Sequence, residues 1–161
     1  MKKIIMLILV LSITFVLFAE KITIVYLDQT ERNLESGSFI KKEAKRTKVP
    51  HRFVYKYGFK ALKGNEKILV ILNSGLSSGI DPRVKTYIAS SQKKESLILV
   101  NLYSLGKQTL FKVIPAVDSL FEVDEISAAT KWDDKKQNQY LDMHQDWTAE
   151  LYRIIDEKLA L

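Results

Sequence analysis

The stretch from Lys67 to Ile88 constrains the fold more than any other part of the chain, because it reads as strand, tight loop and helix in succession. Lys67-Ile68-Leu69-Val70-Ile71-Leu72 is apolar after its first residue, the pattern of a strand covered on both faces in a parallel sheet. Asn73 to Gly79 follows as a turn in which Asn73, Ser74, Gly75, Ser77, Ser78 and Gly79 offer side-chain oxygens and backbone N–H groups. Asp81 is then placed as N-cap and Pro82 at the first helical position, where its missing N–H costs nothing. Open α/β sheets bind ligands at the carboxyl ends of their strands, so this turn is the candidate crevice.

A chain of 161 residues suffices for one α/β core. Residues 20–161 are read as that single domain. Ahead of it, Met1-Lys2-Lys3 is a short basic segment, Ile4 to Phe18 is apolar throughout apart from two hydroxyl residues, and Ala19 offers a small residue before Glu20. Residues 1–19 therefore read as a secretory signal peptide, an uncleaved anchor being the alternative. The expected location is periplasmic or extracellular, with no stable transmembrane span after cleavage. The chain contains no cysteine, which excludes disulfides, thiolate zinc sites and iron–sulfur clusters. Stability must come from packing.

Cleavage after Ala19 removes Lys2 and Lys3 and no acid, bringing the net charge from +6 to +4. The remaining excess is local, with ten basic residues from Lys41 to Lys67 against Glu43 and Glu66. Phe53, Tyr55, Tyr57 and Phe59 alternate with Arg52, Lys56 and Lys60, which describes an edge strand with aromatics on one face and lysines on the other. A nucleic-acid interface is not expected in an exported chain. The basic face instead suits an anionic envelope surface or partner.

In chain order, Lys21–Leu27 is the first strand, about Ser38–Thr47 a basic helix, Arg52–Phe59 the aromatic strand and the Lys67 run the third strand. A helix over about Pro82–Ser91 and a second apolar strand, Ser96–Leu102, follow. Thr109–Ile114 is open between strand and short helix, and Leu120–Asp124 is the expected last strand. Asp134 to Gln137 resembles a capping box opening a final helix, whose Tyr140, Met143, Trp147, Leu151, Ile154 and Ile155 recur at helical spacing. Alternating strands and helices favour a layered α/β domain.

This succession, the ILNSGLSSGIDPRVKTYI turn and the late VDEISAAT segment resemble flavodoxin-like proteins over most of residues 21–158. The resemblance implies a three-layer fold, a mostly parallel sheet of about five strands in the order 2-1-3-4-5 with helices on both faces, and an FMN ring beside the turn. It also implies a T-x-T-G-x-T phosphate loop after the first strand. Here that position reads Asp28-Gln29-Thr30-Glu31-Arg32-Asn33-Leu34-Glu35-Ser36-Gly37-Ser38, with three carboxylates and only Thr30, Ser36, Gly37 and Ser38 as donors. The expectation is a flavodoxin-like shell that binds a small ligand, a flavin or a small anion, or transfers electrons through a weakened FMN site. Ser127, Thr130 and Trp132 are placed beside the crevice, with Trp132 or Tyr103 stacking on the ring.

Two other chemistries are legible. Asp124-Glu125-Ile126-Ser127-Ala128-Ala129-Thr130 is similar to the D-x-x-S-G-A-T signature of exported proteins carrying FMN in phosphoester linkage, which would nominate Thr130. Gly75-Leu76-Ser77-Ser78-Gly79 satisfies G-x-S-x-G, with Ser77 as a hydrolase nucleophile, Asp118 or Asp124 as the acid and His144 as the base. Asp142, His144 and Asp146 stand two apart on a helix and diverge, so no metal site is expected. His51 reads as a loop residue and Trp147 as core.

Overall fold

The computed structural model of the chain describes residues 19–29, 31–76, 80–104, 123–130 and 137–160, with the backbone alone at 31, 32, 74–76, 103, 104, 129, 130 and 137–146. Among the described residues five strands form one sheet: β1 (Lys21–Tyr26), β2 (Arg52–Tyr57), β3 (Ile68–Leu76), β4 (Leu97–Ser104) and β5 (Asp124–Thr130). Every pairing is parallel and the order is β2-β1-β3-β4-β5. This is the topology that the resemblance implies. The helices are α1 (Glu31–Arg46), α2 (Pro82–Ser90) and α3 (Gln137–Ala160). Residues 1–18 of the signal peptide read from sequence lie outside the described residues, among which no helix is long and apolar enough to cross a membrane.

Because side chains alternate along each strand, the continuous apolar runs supply two cores. Ile22, Ile24, Ile68, Val70, Leu72, Ile98, Val100 and Ile126 face α1 and α3, which return Ile40, Ala44, Trp147, Leu151, Ile154 and Ile155. Val25, Leu69, Ile71, Leu97 and Leu99 face α2 and receive Ile80, Val84 and Ile88. Trp147 is 1% exposed, as its place on the apolar stripe predicts. Tyr152, outside the stripe read from sequence, is also buried and donates its hydroxyl to the Ile40 carbonyl at 2.7 Å, tying α3 to α1.

Strand β2 lies at the sheet edge, with Phe53 against Tyr152 and Tyr55 and Tyr57 stacked on Tyr26. It ends at Tyr57 rather than Phe59, because Gly58 takes a positive φ of 67° and donates its N–H to the Tyr26 carbonyl. Phe59 thereby crosses to the other face and stacks on Tyr87, with centroids 4.1 Å apart.

Three other boundaries differ from the sequence reading. Helix α1 begins at Glu31, not near Ser38; Gly37, read as a loop donor, lies inside it. A Cβ at Gly37 would stand 1.5 Å from the Tyr26 hydroxyl, so this glycine is what lets α1 pack down on β1. Asn73 to Leu76, expected as turn, continue β3 and pair with Asn101, Leu102 and Tyr103, with a register shift between Ser74 and Leu76. The last strand starts at Asp124 instead of ending there, so Ser127 and Thr130 are strand residues rather than loop residues. Its small side chains removed the apolar signal that would have announced it.

Candidate functional site

The strand order reverses between β1 and β3, and the crevice of such sheets opens at the carboxyl ends of those two strands. Leu27 and Asp28 follow β1 there, Asn73 to Leu76 close β3, and Asp81 opens α2. Asp81 caps α2 by accepting the Arg83 N–H at 2.8 Å, with Pro82 next in line, as the sequence predicts. What the sequence did not disclose is where the Arg83 side chain goes. It reaches back to Asp28, with Nη1 to Oδ1 at 3.2 Å and Nη2 to Oδ2 at 2.8 Å, while Nε and Nη2 also hold Asp81. Two carboxylates thus share one guanidinium, leaving a net negative group that ties the end of β1 to the start of α2. Hydrogen bonds from Arg83 hold both carboxyls below the usual carboxylate range and raise the guanidinium further.

The loop from β1 into α1 is also tied from within. Asn33, buried in the first turn of α1, donates its amide to the Asp28 carbonyl at 2.6 Å. Ser36, Gly37 and Ser38, read as loop donors, are instead in the body of α1, beyond the first turn whose N–H groups a helix leaves unpaired. Gly37 is fixed against Tyr26, and its carbonyl accepts the Tyr55 hydroxyl at 3.0 Å. Burial pushes the Tyr26 and Tyr55 phenols up, Tyr55 to about 12, so both remain protonated donors. Of the three carboxylates read around this loop, Asp28 is an exposed residue of the loop itself and Glu35 lies a turn into α1.

A second set of polar residues crosses the sheet one row in from its carboxyl edge. Asn73, Asn101 and Ser127 are register partners on β3, β4 and β5, on the face that carries α2. The Asn73 amide donates to Asn101 Oδ1 at 2.8 Å, the Asn101 amide to Glu125 Oε1 at 2.6 Å, and the Ser127 hydroxyl to the same oxygen at 3.0 Å. All three donors are essentially buried. Every donation runs toward the carboxylate, so the chain is polarised in one direction and fixes the amide orientations. The structure therefore brings together Asn73 and Ser127, two of the predicted site residues, through Asn101 and Glu125, which the sequence reading missed. An asparagine in an otherwise apolar strand, at the position paired with Asn73, was the available signal.

Ser74, Gly75 and Thr130 occupy strand ends at the carboxyl edge, Thr130 paired with Ser104. Thr30, Ser77, Ser78, Gly79 and Trp132 lie outside the described residues, and of Tyr103 only the backbone is described. The hydrolase arrangement does not assemble as read: Asp124 opens β5 at the opposite end of the sheet from the turn after β3, where it pairs with Lys158. A strand of that length separates the two ends by roughly 20 Å. Asp118 is outside the described residues, and position 144 falls within α3 rather than in a loop. His51 is more than a loop residue: its side chain is only 7% exposed and its Nε2 lies 2.7 Å from Asp156 Oδ1, joining the start of β2 to α3. Among the described residues no group of acids and histidines could hold a metal ion.

No family model and no curated protein matches the sequence. Solved structures do match in fold. The chain is similar to rubredoxin oxygen:oxidoreductase from Desulfovibrio gigas at 10% identity and a TM-score of 0.52, covering 88% of this chain. It spans only 37% of that protein's length. A flavodoxin from the domain Archaea matches at 12% identity and TM-score 0.44 over 81% of this chain and 98% of its own. General stress protein 14 of Treponema denticola, solved in complex with FMN, matches at 9% identity and TM-score 0.47 over 84% and 99%. At such identities the likeness is one of fold, and with the strand order it places the chain in the flavodoxin-like α/β class.

Proposed function

We propose that this chain is an exported flavodoxin-fold binding protein whose crevice, at the carboxyl ends of β1 and β3, takes a small planar ligand lacking a terminal phosphate. The Asp28–Arg83 pairing carries the reading. In this fold class the first loop receives the FMN phosphate, and here it holds an ionised carboxylate within a group of net negative charge. Arg83 is already shared by two acids and so offers a dianion little. FMN therefore fits poorly at its phosphate end, and a small anion fares no better. A ring without a phosphate avoids that repulsion. A bound flavin ring would supply electron transfer, with Thr130, at the carboxyl end of β5, as the residue to probe. Titrating the purified chain with riboflavin tests the reading: quenched flavin fluorescence and a perturbed visible band support it, and an unchanged spectrum at saturating riboflavin overturns the flavin form.

A second reading rests on a separate observation. Lys41, Lys42, Lys45, Lys48 and Arg52 are exposed around the end of α1 and the start of β2, and none has a carboxylate partner among the described residues. Such a face suits anionic envelope surfaces. Salt-sensitive cosedimentation with anionic vesicles supports it, and salt-independent or absent binding overturns it.

A further inference from the structure

A cavity of about 260 Å³ lies at the other end of the sheet, far from the crevice, between the last turn of α2, the Ser91–Lys93 segment and the starts of β3 and β4. Its floor is apolar, formed by Leu69 and Leu97, both 2% exposed. Tyr87 forms one wall with its ring held in place by stacking on Phe59. Glu66 also lines the cavity, with a side chain only 7% exposed.

Three polar side chains of this cavity, Glu66, Ser90 and Ser96, present acceptors to it. The Lys56 ammonium and the Lys63 N–H both donate to Glu66 Oε1 at 2.9 Å, so Oε2 receives no hydrogen bond from another described residue. Burial alone would raise the Glu66 carboxyl, but those donors, together with its own backbone N–H, outweigh it and bring it down to about 2, so the group is a carboxylate at neutral pH. Ser90 and Ser96 commit their protons to the Tyr87 and Lys93 carbonyls at 3.0 and 2.9 Å, which leaves lone pairs as what they can offer a ligand. Ser91 accepts the Lys93 N–H at 3.4 Å and keeps its own proton to donate.

We propose that this cavity is a second binding site, one that takes a neutral polyhydroxylated ring of monosaccharide size. Hydroxyl donors satisfy Glu66 Oε2, Ser90 and Ser96, the C–H face of the ring packs on Tyr87 and the leucine floor, and Ser91 serves a ligand oxygen. A cation is disfavoured because Glu66 already has an ammonium partner in Lys56 and because Lys93 adds positive charge to the lining. The volume lies just below the range of roughly 300 Å³ upward typical of drug-sized ligands, which limits the occupant to about one ring.

Amide NMR titration of the full chain with glucose, galactose and N-acetylglucosamine, and with choline as a cation of similar size, tests this. The expected result is saturable shifts from at least one sugar at Gly64, Leu69, Tyr87 and Ser90 to Leu97, weakened about tenfold or more in Glu66→Gln. Ser90→Phe, which fills the cavity from an exposed helix-end position, abolishes them and keeps the test open if Glu66→Gln does not fold. Shifts at choline equal to or larger than those at every sugar, sugar shifts confined to other residues, or binding unaltered in Ser90→Phe would each overturn the proposal.

Discussion

Arg83 and Asp28, 55 residues apart in sequence, form a two-point ion pair across the place where the strand order of the sheet reverses. With both side chains more than half exposed, the pair adds little to stability, in the range of ~0–1 kcal/mol for surface pairs. Its consequence is electrostatic. Asp28→Ser removes one of two carboxylates and leaves Arg83 with Asp81 alone, so the group becomes neutral and FMN affinity should rise by about tenfold or more. Riboflavin affinity should stay within about twofold of the unaltered chain, because only the phosphate senses the change. Isothermal titration with the two ligands checks this.

Gly37→Ala tests the contact between α1 and β1. With the Tyr26 hydroxyl 1.5 Å and its ring carbon 2.7 Å from the new Cβ, the ring must move, and overpacking of this kind costs about 1–3 kcal/mol. Tyr26→Phe in the same chain removes the nearer atom and should recover part of that loss. Additive losses in chemical denaturation would contradict the contact.

The buried polar row on β3, β4 and β5 should behave as a unit. Asn101→Leu strands the Asn73 amide and takes one donor from Glu125, at a cost of about 2–3 kcal/mol. Replacing Asn73 as well should cost less than the sum of the two single changes, because its amide then no longer needs a partner. Thermal denaturation of the two single variants and the double variant gives the coupling.

Acid should weaken the loop around Glu66 only once the pH falls below the ordinary carboxylate value. The folded carboxyl lies at about 2 against an ordinary 4.5, so its contribution is complete above the ordinary value and is lost as pH falls through that interval toward 2. Denaturation midpoints from pH 6 downward should decline less in Glu66→Gln than in the unaltered chain. Equal declines would show that Glu66 is not held by Lys56 and Lys63.

Much of this architecture is legible in the residues. The apolar runs at Ile68–Leu72 and Leu97–Val100 announced buried parallel strands, and Asp81-Pro82 announced the start of α2 to the residue. The start of α1 was misplaced because Ser36, Gly37 and Ser38 read as loop donors, whereas the tertiary use of Gly37 is to admit Tyr26. Strand β5 was misplaced because Ser127, Ala128 and Ala129 carry a loop-like composition, yet small side chains and one buried polar row suit it. The candidate site was harder still. Asn73 and Ser127 could be nominated one by one, but Asn101, Glu125 and Arg83 join the site only through strand register and a long side chain, neither of which local sequence encodes.

The measurement that tests the account most directly is the ratio of the dissociation constants for FMN and riboflavin on the unaltered chain, taken at low ionic strength where charge effects are least screened. The account predicts riboflavin binding at least as tight as FMN, and by about tenfold tighter if the Asp28 carboxylate faces the phosphate. FMN binding clearly tighter than riboflavin would show that the first loop accepts a phosphate despite Asp28, and would contradict the account.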